Sequence, residues 1–350
     1  MNIKRARIVL SLGVGVLALG AALSLVLVTP RVLASERALD AKTARNLGPR
    51  TAPGTPLTVT VGAAPFGLAF DGNYVWVANS LDNTLSRIQA NNGVVDGTVA
   101  AGQCPFGAAF DGARMWISNF CSQSVSAFDA LSVTALVTPT VGNLPFNLGS
   151  DGERMWVVNS GSGGTFQYAV SVIDQESFAN VMTPTVGSGP ADLAFDGQNM
   201  WVTNGSSNSV SVIRASDGFH VMTPTVGANP QSIVFDGVNM WIANGGNGAG
   251  STLSVIRASD GLHVMTPTVS LYPFDLAYDG QRIWVTSSGA DVVDLVRVTD
   301  GTLLQSIPVA QDPRAIVFDG EYMWVSSYGE NLVTRIPTGL TRLFLPSLRR

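Results

Sequence analysis

The feature that most constrains this chain is a unit of about 40 residues that occurs seven times. Each unit contains a Pro, an Asp-Gly pair whose Asp lies six residues later, and a Trp five residues after that Asp. The units begin at Pro65, Pro105, Pro145, Pro190, Pro230, Pro273 and Pro313. A three-point spacing that is kept seven times predicts a repeat architecture, in which every unit folds into the same element.

The pattern within one unit, residues 190–227, predicts four short strands. An apolar run ends at Asp196-Gly197, a second run contains Trp201, a third alternates apolar and polar residues, and a fourth begins at His220. Short strands separated by tight turns form an antiparallel sheet. Seven four-stranded sheets in series predict an all-β fold, a seven-bladed β-propeller within a single domain, residues 55–350.

The two ends of the repeat array predict how the ring closes. The seventh unit ends after its third strand, and an unpaired strand-like segment, residues 57–62, precedes the first unit. We expect this segment to supply the outer strand of the last blade. The fourth strands carry prolines, which suit an outer edge because Pro lacks a backbone N–H. These prolines are Pro139, Pro184, Pro224 and Pro267.

The amino terminus predicts export. Residues 1–7 are basic and residues 8–28 carry no charge, which is typical of a signal peptide or an N-terminal membrane anchor within residues 1–34. Residues 35–54 are polar and aperiodic, and we interpret them as a flexible linker. The propeller is then periplasmic, extracellular or anchored on the outer side of the cytoplasmic membrane. It contacts a membrane only through the N-terminal segment, if that segment stays uncleaved.

Charge excludes one class of partner. Four of the 20 basic residues and none of the 25 acidic ones lie in residues 1–34, which leaves the remainder with a net charge of −9. Such a surface repels phosphate backbones, and the sequence contains no basic stripe that would offset this repulsion. We therefore expect no nucleic-acid partner.

The repeat resembles the YVTN/NHL type of propeller, a group that includes the streptogramin lyases. The resemblance rests on the Pro-x-x-apolar-Ala-Phe-Asp-Gly start and on the sequences Trp-Val-Ala-Asn at residues 76–79 and Trp-Ile-Ala-Asn at 241–244. It covers residues 56–337 and implies that the Pro loops and the loops after the Trp strands open on one face, here called the top face. Such repeats serve enzymes, binding proteins and surface proteins alike, so the resemblance implies a fold and leaves the function open.

The two positions after each repeat Pro vary, and they begin the innermost strands, so we expect them to surround the top of the central channel. We call this ring of positions the channel mouth. Its predicted ligand-binding residues are Phe66, Phe106, Phe146, Asn147, Asp192, Gln231, Phe274, Asp275 and Arg314. Four aromatic rings beside polar groups suit an apolar or aromatic ligand with a polar handle. Alternatively, the Phe side chains fill gaps between neighbouring blades.

Two units carry insertions in top-face loops, within residues 160–169 and 245–251. Insertions on one face of a repeat array often mark its binding side. Phe166 and Tyr168, in the first insertion, are therefore further candidates for ligand contact, unless they pack on a neighbouring blade. Cys104 and Cys121 lie in two top-face loops of one blade, and an exported protein favours a disulfide between them.

The sequence gives little support for catalysis. The two His residues, His220 and His263, stand at one offset in near-identical outer strands, away from the channel. Streptogramin lyases use channel-facing His and acidic residues with a divalent metal, and no His here matches those positions. We therefore predict a monomeric, non-catalytic propeller without a cofactor, a binding or scaffold module of the cell envelope for an unidentified protein or small molecule. The alternative is a metal-dependent lyase or lactonase that uses Asp192 and Asp275.

Overall fold

The computed structural model describes residues 56–161 and 168–339, and these form seven four-stranded antiparallel sheets arranged in a ring. The prediction of an all-β, seven-bladed propeller is confirmed. A 3-10 turn at Gly246–Gly248 is the helical element within these two ranges. None of the helices described there is long and apolar enough to cross a bilayer. The predicted leader, residues 1–34, and the linker, residues 35–54, lie outside the described residues.

Each blade contributes one strand to the channel wall and continues outwards through three more. The innermost strands are β2 (Pro65–Phe70), β6 (Pro105–Phe110), β10 (Pro145–Ser150), β14 (Pro190–Phe195), β18 (Pro230–Phe235), β22 (Pro273–Tyr278) and β26 (Pro313–Phe318). The second strands are β3 (Tyr74–Asn79), β7 (Arg114–Asn119), β11 (Arg154–Asn159), β15 (Asn199–Asn204), β19 (Asn239–Asn244), β23 (Arg282–Ser287) and β27 (Tyr322–Ser327).

The third strands are buried and the fourth strands form the rim. The third strands are β4 (Thr84–Gln89), β8 (Ser124–Asp129), β12 (Ala169–Asp174), β16 (Ser209–Arg214), β20 (Thr252–Arg257), β24 (Val292–Arg297) and β28 (Leu332–Pro337). The fourth strands are β5 (Val95–Ala100), β9 (Ala135–Val137), β13 (Asn180–Met182), β17 (His220–Met222), β21 (His263–Met265) and β25 (Leu303–Pro308). The seventh blade takes its outer strand from elsewhere.

The ring is closed by β1 (Leu57–Thr60), which pairs antiparallel with β28. The register places Leu57 opposite Arg335 and Thr60 opposite Leu332. Val59 is buried in the cluster that joins the last blade to the first. The predicted closure by an N-terminal strand is therefore confirmed, and the first and last repeat units are tied together by backbone hydrogen bonds.

The prolines of the fourth strands occupy a different place from the one predicted. The fourth strands of blades two to five span three residues each, and the Pro lies two residues beyond the strand, as Pro139 does after β9. Pairing then resumes as a single bridge, for example between Ser124 and Thr140. Pro139, Pro184, Pro224 and Pro267 therefore lie beyond the strand ends instead of within the strands, but at the outer edge that was predicted. The carbonyl of each still accepts a backbone N–H from the third strand, whereas its own nitrogen has no hydrogen to donate.

A hydrogen bond explains the five-residue spacing between Asp and Trp. In every blade the Trp indole N–H donates to Oδ2 of the Asp, as Trp76 does to Asp71 over 2.7 Å. The other carboxylate oxygen accepts the backbone N–H groups of the second and third residues after the Asp, here Asn73 and Tyr74. The Gly after each Asp has a φ between 92° and 100°, which non-glycine residues rarely adopt. The Asp therefore fixes the turn and orients the indole together.

The seven Trp side chains are almost completely buried and join neighbouring blades. Trp156 of the third blade, for example, packs in one cluster with Leu193, Met200 and Val202 of the fourth. Burying a side chain of this size contributes about 2–3 kcal/mol per blade interface. The repeated Trp is thus the main apolar contact between adjacent sheets.

A second repeated pair joins the loop before each inner strand to the end of the second strand. In five blades a Gly lies three residues before the repeat Pro, and a Cβ at Gly142 would stand 2.6 Å from Cγ of Asn159. The last two blades carry Ser270 with Ser287 and Ala310 with Ser327 in place of the Gly and Asn. A larger residue in the loop thus occurs where the facing residue is smaller. In blade six, Asp294 accepts the backbone N–H of Ser270 and the hydroxyl of Ser287.

We expect Gly142→Ala to destabilise the protein by about 1–3 kcal/mol, because the added methyl group overlaps Asn159. The double variant Gly142→Ala, Asn159→Ser recreates the Ala310 and Ser327 pair of the last blade and should regain at least half of that loss. Denaturant unfolding of the two variants measures the difference. Equal stability of the single and double variants would contradict the proposed size complementarity.

Candidate functional site

The four Phe side chains at the channel mouth form one aromatic cluster. Ring centroids lie 3.6 Å apart for Phe66 and Phe106, 4.2 Å for Phe106 and Phe146, and 5.7 Å for Phe66 and Phe274. Blades one, two, three and six supply these rings, so the contacts cross the channel instead of filling gaps between adjacent blades alone. The structure thus brings together the four aromatic residues that were predicted to surround the mouth.

Gly67 and Gly107 follow two of these Phe residues and allow the neighbouring inner strands to approach each other closely. A Cβ at Gly107 would lie 2.7 Å from the side-chain oxygen of Asn147 and from the backbone oxygen of Phe146. The inner strands of blades one to three therefore approach each other closely at this level. Side chains larger than hydrogen are therefore excluded at these two positions.

Arg314 lies against the aromatic cluster. Its guanidinium carbon is 4.6 Å from the ring centroid of Phe274, 5.7 Å from that of Tyr328 and 5.8 Å from that of Phe66. The guanidinium also pairs with Asp312 at 2.8 Å. Arg314 is thus held by a carboxylate and three aromatic rings. The sequence analysis singled out Arg314 but missed Tyr328 and Asp312.

Asp192 is buried below the mouth and is held by neutral donors. Its Oδ1 accepts the side-chain amide of Asn147 at 2.5 Å, and its Oδ2 accepts the backbone N–H of Ile233 at 3.0 Å. The Asp192 backbone N–H in turn donates to the hydroxyl of Thr203. Asn147 and Asp192, predicted separately, are therefore direct partners across two blades.

Asp275 has a similar environment two blades away. Its Oδ1 accepts the hydroxyl of Ser232 at 2.7 Å and the backbone N–H of Leu276 at 2.8 Å, and its Oδ2 accepts the backbone N–H of Ile316 at 2.8 Å. Ser232 belongs to the blade between those of Asp192 and Asp275, and its hydroxyl interacts with both carboxyl groups. Ser232 was not among the predicted site residues, although it stands at the same position of the repeat as the two acids.

The two carboxyl groups affect each other. Burial raises the pKa of Asp192 to about 7, and the nearby negative charge of Asp275 contributes to this increase. Burial also raises the pKa of Asp275. Hydrogen bonds from Ser232 and from the backbone oppose both increases but do not cancel them. We call Asp192 and Asp275 the acid pair.

A cavity of about 180 Å³ lies at the mouth between the aromatic cluster and the acid pair. Ala191 and Gln231 line it on the side where the ring of Phe residues is interrupted. The second insertion borders the same side, since a Cβ at Gly245 would lie 2.8 Å from the Gln231 side chain and 3.0 Å from Tyr272. The predicted residues of the mouth therefore enclose a cavity with one apolar and one acidic side.

The first insertion is only partly described. Phe166 lies outside the described residues. Tyr168 is half-buried just before β12, where its backbone oxygen accepts the N–H of Val186, and it does not line the cavity. Its predicted contact with a ligand stays a prediction.

The predicted disulfide and the positions of the two His residues are confirmed. Cys104 and Cys121 form a disulfide with a Cα–Cα distance of 5.4 Å. It joins two top-face loops next to Phe120, whose ring centroid is 5.6 Å from that of Phe106. His220 and His263 are exposed on the outer strands β17 and β21, where each ring contacts a Thr hydroxyl, those of Thr223 and Thr266. The disulfide therefore restrains the edge of the aromatic cluster.

The acid pair does not fit a divalent metal. Calcium takes about six to eight oxygen ligands, whereas the two carboxyl groups of the acid pair offer at most a part of that number. The amide of Asn147 directs its nitrogen, not its oxygen, towards Asp192. In the part of the chain that the structure describes, no group of three His, Cys, Asp or Glu side chains is placed to hold a metal.

We expect EDTA, followed by an excess of Ca²⁺ or Mg²⁺, to change the melting temperature by less than about 1 °C. A metal ion that bound the folded state would raise the melting temperature by mass action. Differential scanning fluorimetry of the full chain measures this effect. A reproducible increase with metal that is lost in Asp192→Asn would contradict the expectation and favour the metal-dependent lyase or lactonase alternative.

Comparison with family models and with curated proteins finds no match. The structure is similar to a chain of Kuenenia stuttgartiensis Hydrazine Synthase, with a TM-score of 0.71 and 21% sequence identity, over 83% of this chain and 100% of that chain. Sequence identity at this level shows a similar fold and gives no information on the activity of this chain. The sequence repeat, the sheet topology and this similarity together establish the chain as a seven-bladed β-propeller.

Proposed function

We propose that the protein is a non-catalytic, ligand-binding propeller of the cell envelope, with repeats of the YVTN/NHL type, and that its ligand binds in the cavity at the channel mouth. The observation that carries this proposal is the cavity itself, because it has an aromatic side and a side of convergent polar groups. Cavities of this composition are the usual form of small-molecule sites. The sequence of the amino terminus supports the placement in the envelope.

Ala191→Phe tests the proposal by adding a fifth Phe to the mouth, at the interruption of the aromatic ring. A library of small apolar, aromatic, cationic and anionic compounds is screened by the change in melting temperature of the full chain. We expect some compounds to raise the melting temperature by about 2 °C or more in the wild type and to lose this effect in Ala191→Phe.

Ala113→Phe is the matched control, because it adds the same side chain at an exposed turn on the opposite face. It should respond to the compounds as the wild type does. A library without any stabilising compound, or compounds that act equally on Ala191→Phe, would contradict binding at the channel mouth.

A further inference from the structure

Within the described residues, the acid pair has no basic partner. Asn147, Ser232 and backbone N–H groups supply the hydrogen bonds to the two carboxyl groups, and no Lys, Arg or His among residues 56–161 and 168–339 forms an ion pair with either. Arg314, the basic residue at the mouth, is paired with Asp312 and does not line the cavity. A buried carboxylate without a cation is costly, so this pair must retain a proton or bind a cation.

The neutral donors orient the acid pair without neutralising it. Each carboxyl group is fixed by a backbone N–H of the next blade, from Ile233 for Asp192 and from Ile316 for Asp275. These contacts are part of the ring of inner strands, so the carboxyl groups cannot turn away from the channel without losing them. Both carboxyl groups nevertheless line the cavity. A ligand that enters the cavity therefore meets two fixed acidic groups.

The aromatic side of the cavity favours a ligand that carries a positive charge next to an apolar group. Phe66, Phe106, Phe146 and Phe274 contribute to the cavity wall, and the face of an aromatic ring attracts cations. The same rings offer apolar surface to a hydrocarbon or aromatic group. Anionic ligands are disfavoured, because they would be placed next to the acid pair in a site with low solvent access.

From these contacts we infer that the cavity binds a small protonated primary amine with an apolar body, and that its ammonium group donates hydrogen bonds to Asp192 and Asp275. This assignment rests on the proposed binding function of the channel mouth and specifies its ligand class. The ammonium group supplies the cation that the acid pair lacks, and the apolar body lies against the Phe rings. Near neutral pH the unliganded pair retains one proton. The ammonium group arrives already protonated and donates to both carboxyl groups, so it takes the place of that proton, which is released to solvent.

Isothermal titration calorimetry of the full chain tests the assignment with methylamine, benzylamine and benzyl alcohol. Benzyl alcohol has the shape of benzylamine without its charge. We expect at least one amine to bind at pH 8, benzyl alcohol to bind at least tenfold more weakly than benzylamine, and the amine affinity to fall at least threefold between pH 8 and pH 5. Asp192→Asn should weaken amine binding at least tenfold.

Asp217→Asn is the control for net charge, since Asp217 lies in an exposed turn and pairs with Arg214 there. It should bind the amines as the wild type does. The assignment is overturned if neither amine binds, if benzyl alcohol binds as tightly as benzylamine, or if Asp192→Asn and Asp217→Asn behave alike. These results leave the proposed function intact when other compounds still distinguish Ala191→Phe from Ala113→Phe. Failure of that comparison overturns both proposals.

Discussion

Deletion of residues 55–62 is expected to lower the melting temperature of the protein by about 10 °C or more. The deletion removes β1, which forms the outer strand of the last blade and pairs with β28 along its whole length. It also removes Val59 from the cluster that joins the last blade to the first, together with the packing of Leu57 and Val61. We expect a loss of about 4–6 kcal/mol from this apolar surface and from the exposed edge of β28.

Two substitutions within β1 separate the loss of closure from a general effect of the deletion. Val59→Asp replaces a buried apolar side chain of the cluster with a charged one and should reproduce most of the destabilisation, because the lost apolar packing and the burial of a charge both disfavour the folded state. Thr58→Asp places the same charge on the exposed side of the strand and should change stability by less than about 0.5 kcal/mol. Thermal unfolding that is the same for the deletion and the wild type would show that β1 does not close the ring.

Asp192→Asn is expected to stabilise the protein at high pH. Burial raises the pKa of Asp192 to about 7 in the folded protein, above its value in the unfolded chain, so the folded state binds more protons between these two values. Stability therefore falls as the pH rises through this range and is lowest once the group is ionised. Asn removes the ionisation, and we expect a gain of about 2–4 kcal/mol at pH 8 that shrinks below about 1 kcal/mol at pH 4.

The groups around Asp192 make Asn a suitable replacement at this position. Asn147, Ser232 and Asp275 face it from three neighbouring inner strands, and among these only Asp275 titrates. The charged groups at the mouth above are Arg314 and Asp312, which pair with each other. The new amide still accepts the backbone N–H of Ile233 that Oδ2 accepts now. A flip of the Asn147 amide would restore the second hydrogen bond but would give up the one that its oxygen accepts from Leu148.

Asp275→Asn provides the contrast. Both oxygens of Asp275 accept backbone N–H groups, from Leu276 and Ile316, so either orientation of an Asn amide places its nitrogen against a donor. We expect a smaller gain at pH 8 than for Asp192→Asn and a loss at pH 4. Denaturant unfolding of both variants between pH 4 and pH 8 measures these differences. If Asp192→Asn and the wild type had the same stability at every pH, this result would contradict a raised pKa of Asp192.

The sequence was sufficient to predict the fold because the repeat is a periodic signal of sheet structure. The number of blades follows from the number of units, and the four strands of each blade follow from the pattern within one unit. The closing strand follows from the two ends of the array, and the disulfide from the placement of Cys104 and Cys121 in two loops of one blade. Repeated residues also identified the structural role of the Trp side chains. The fourth strands were predicted less well, because composition does not show that Pro139 ends a strand before the next bridge begins.

Side-chain contacts within a unit were harder to predict than its strands. The fixed distance from Asp71 to Trp76 is visible in the sequence, yet the turn alone explains the Asp, and the indole hydrogen bond appears only in three dimensions. The replacement of Gly and Asn by Ser270 and Ser287 in blade six is likewise visible in the sequence. Only the structure shows that the two positions are in contact, which explains why they change together. Such pairs become informative when compared between blades.

The channel mouth was located from the sequence, whereas its chemistry was not. Variation after the repeat Pro identified Asp192, Asp275 and Arg314, because positions that depart from a repeat are not required by it. The electrostatic interaction between Asp192 and Asp275 depends on the orientation of their side chains and on the distance between them across the channel, which the sequence does not show. Ser232 lies between the two acids in space but is a small polar residue without any distinguishing signal in the sequence.

The number of protons released on amine binding tests the acid pair most directly. Calorimetric titration of benzylamine at pH 6, in two buffers with different ionisation enthalpies, gives this number for the full chain. We predict the release of about one proton in the wild type and fewer in Asp192→Asn, which keeps only Asp275 of the pair, since the ammonium group replaces the proton that the pair retains below the raised pKa of Asp192. Binding without proton release in the wild type, or no binding at all, would contradict a binding cavity organised around these two carboxyl groups.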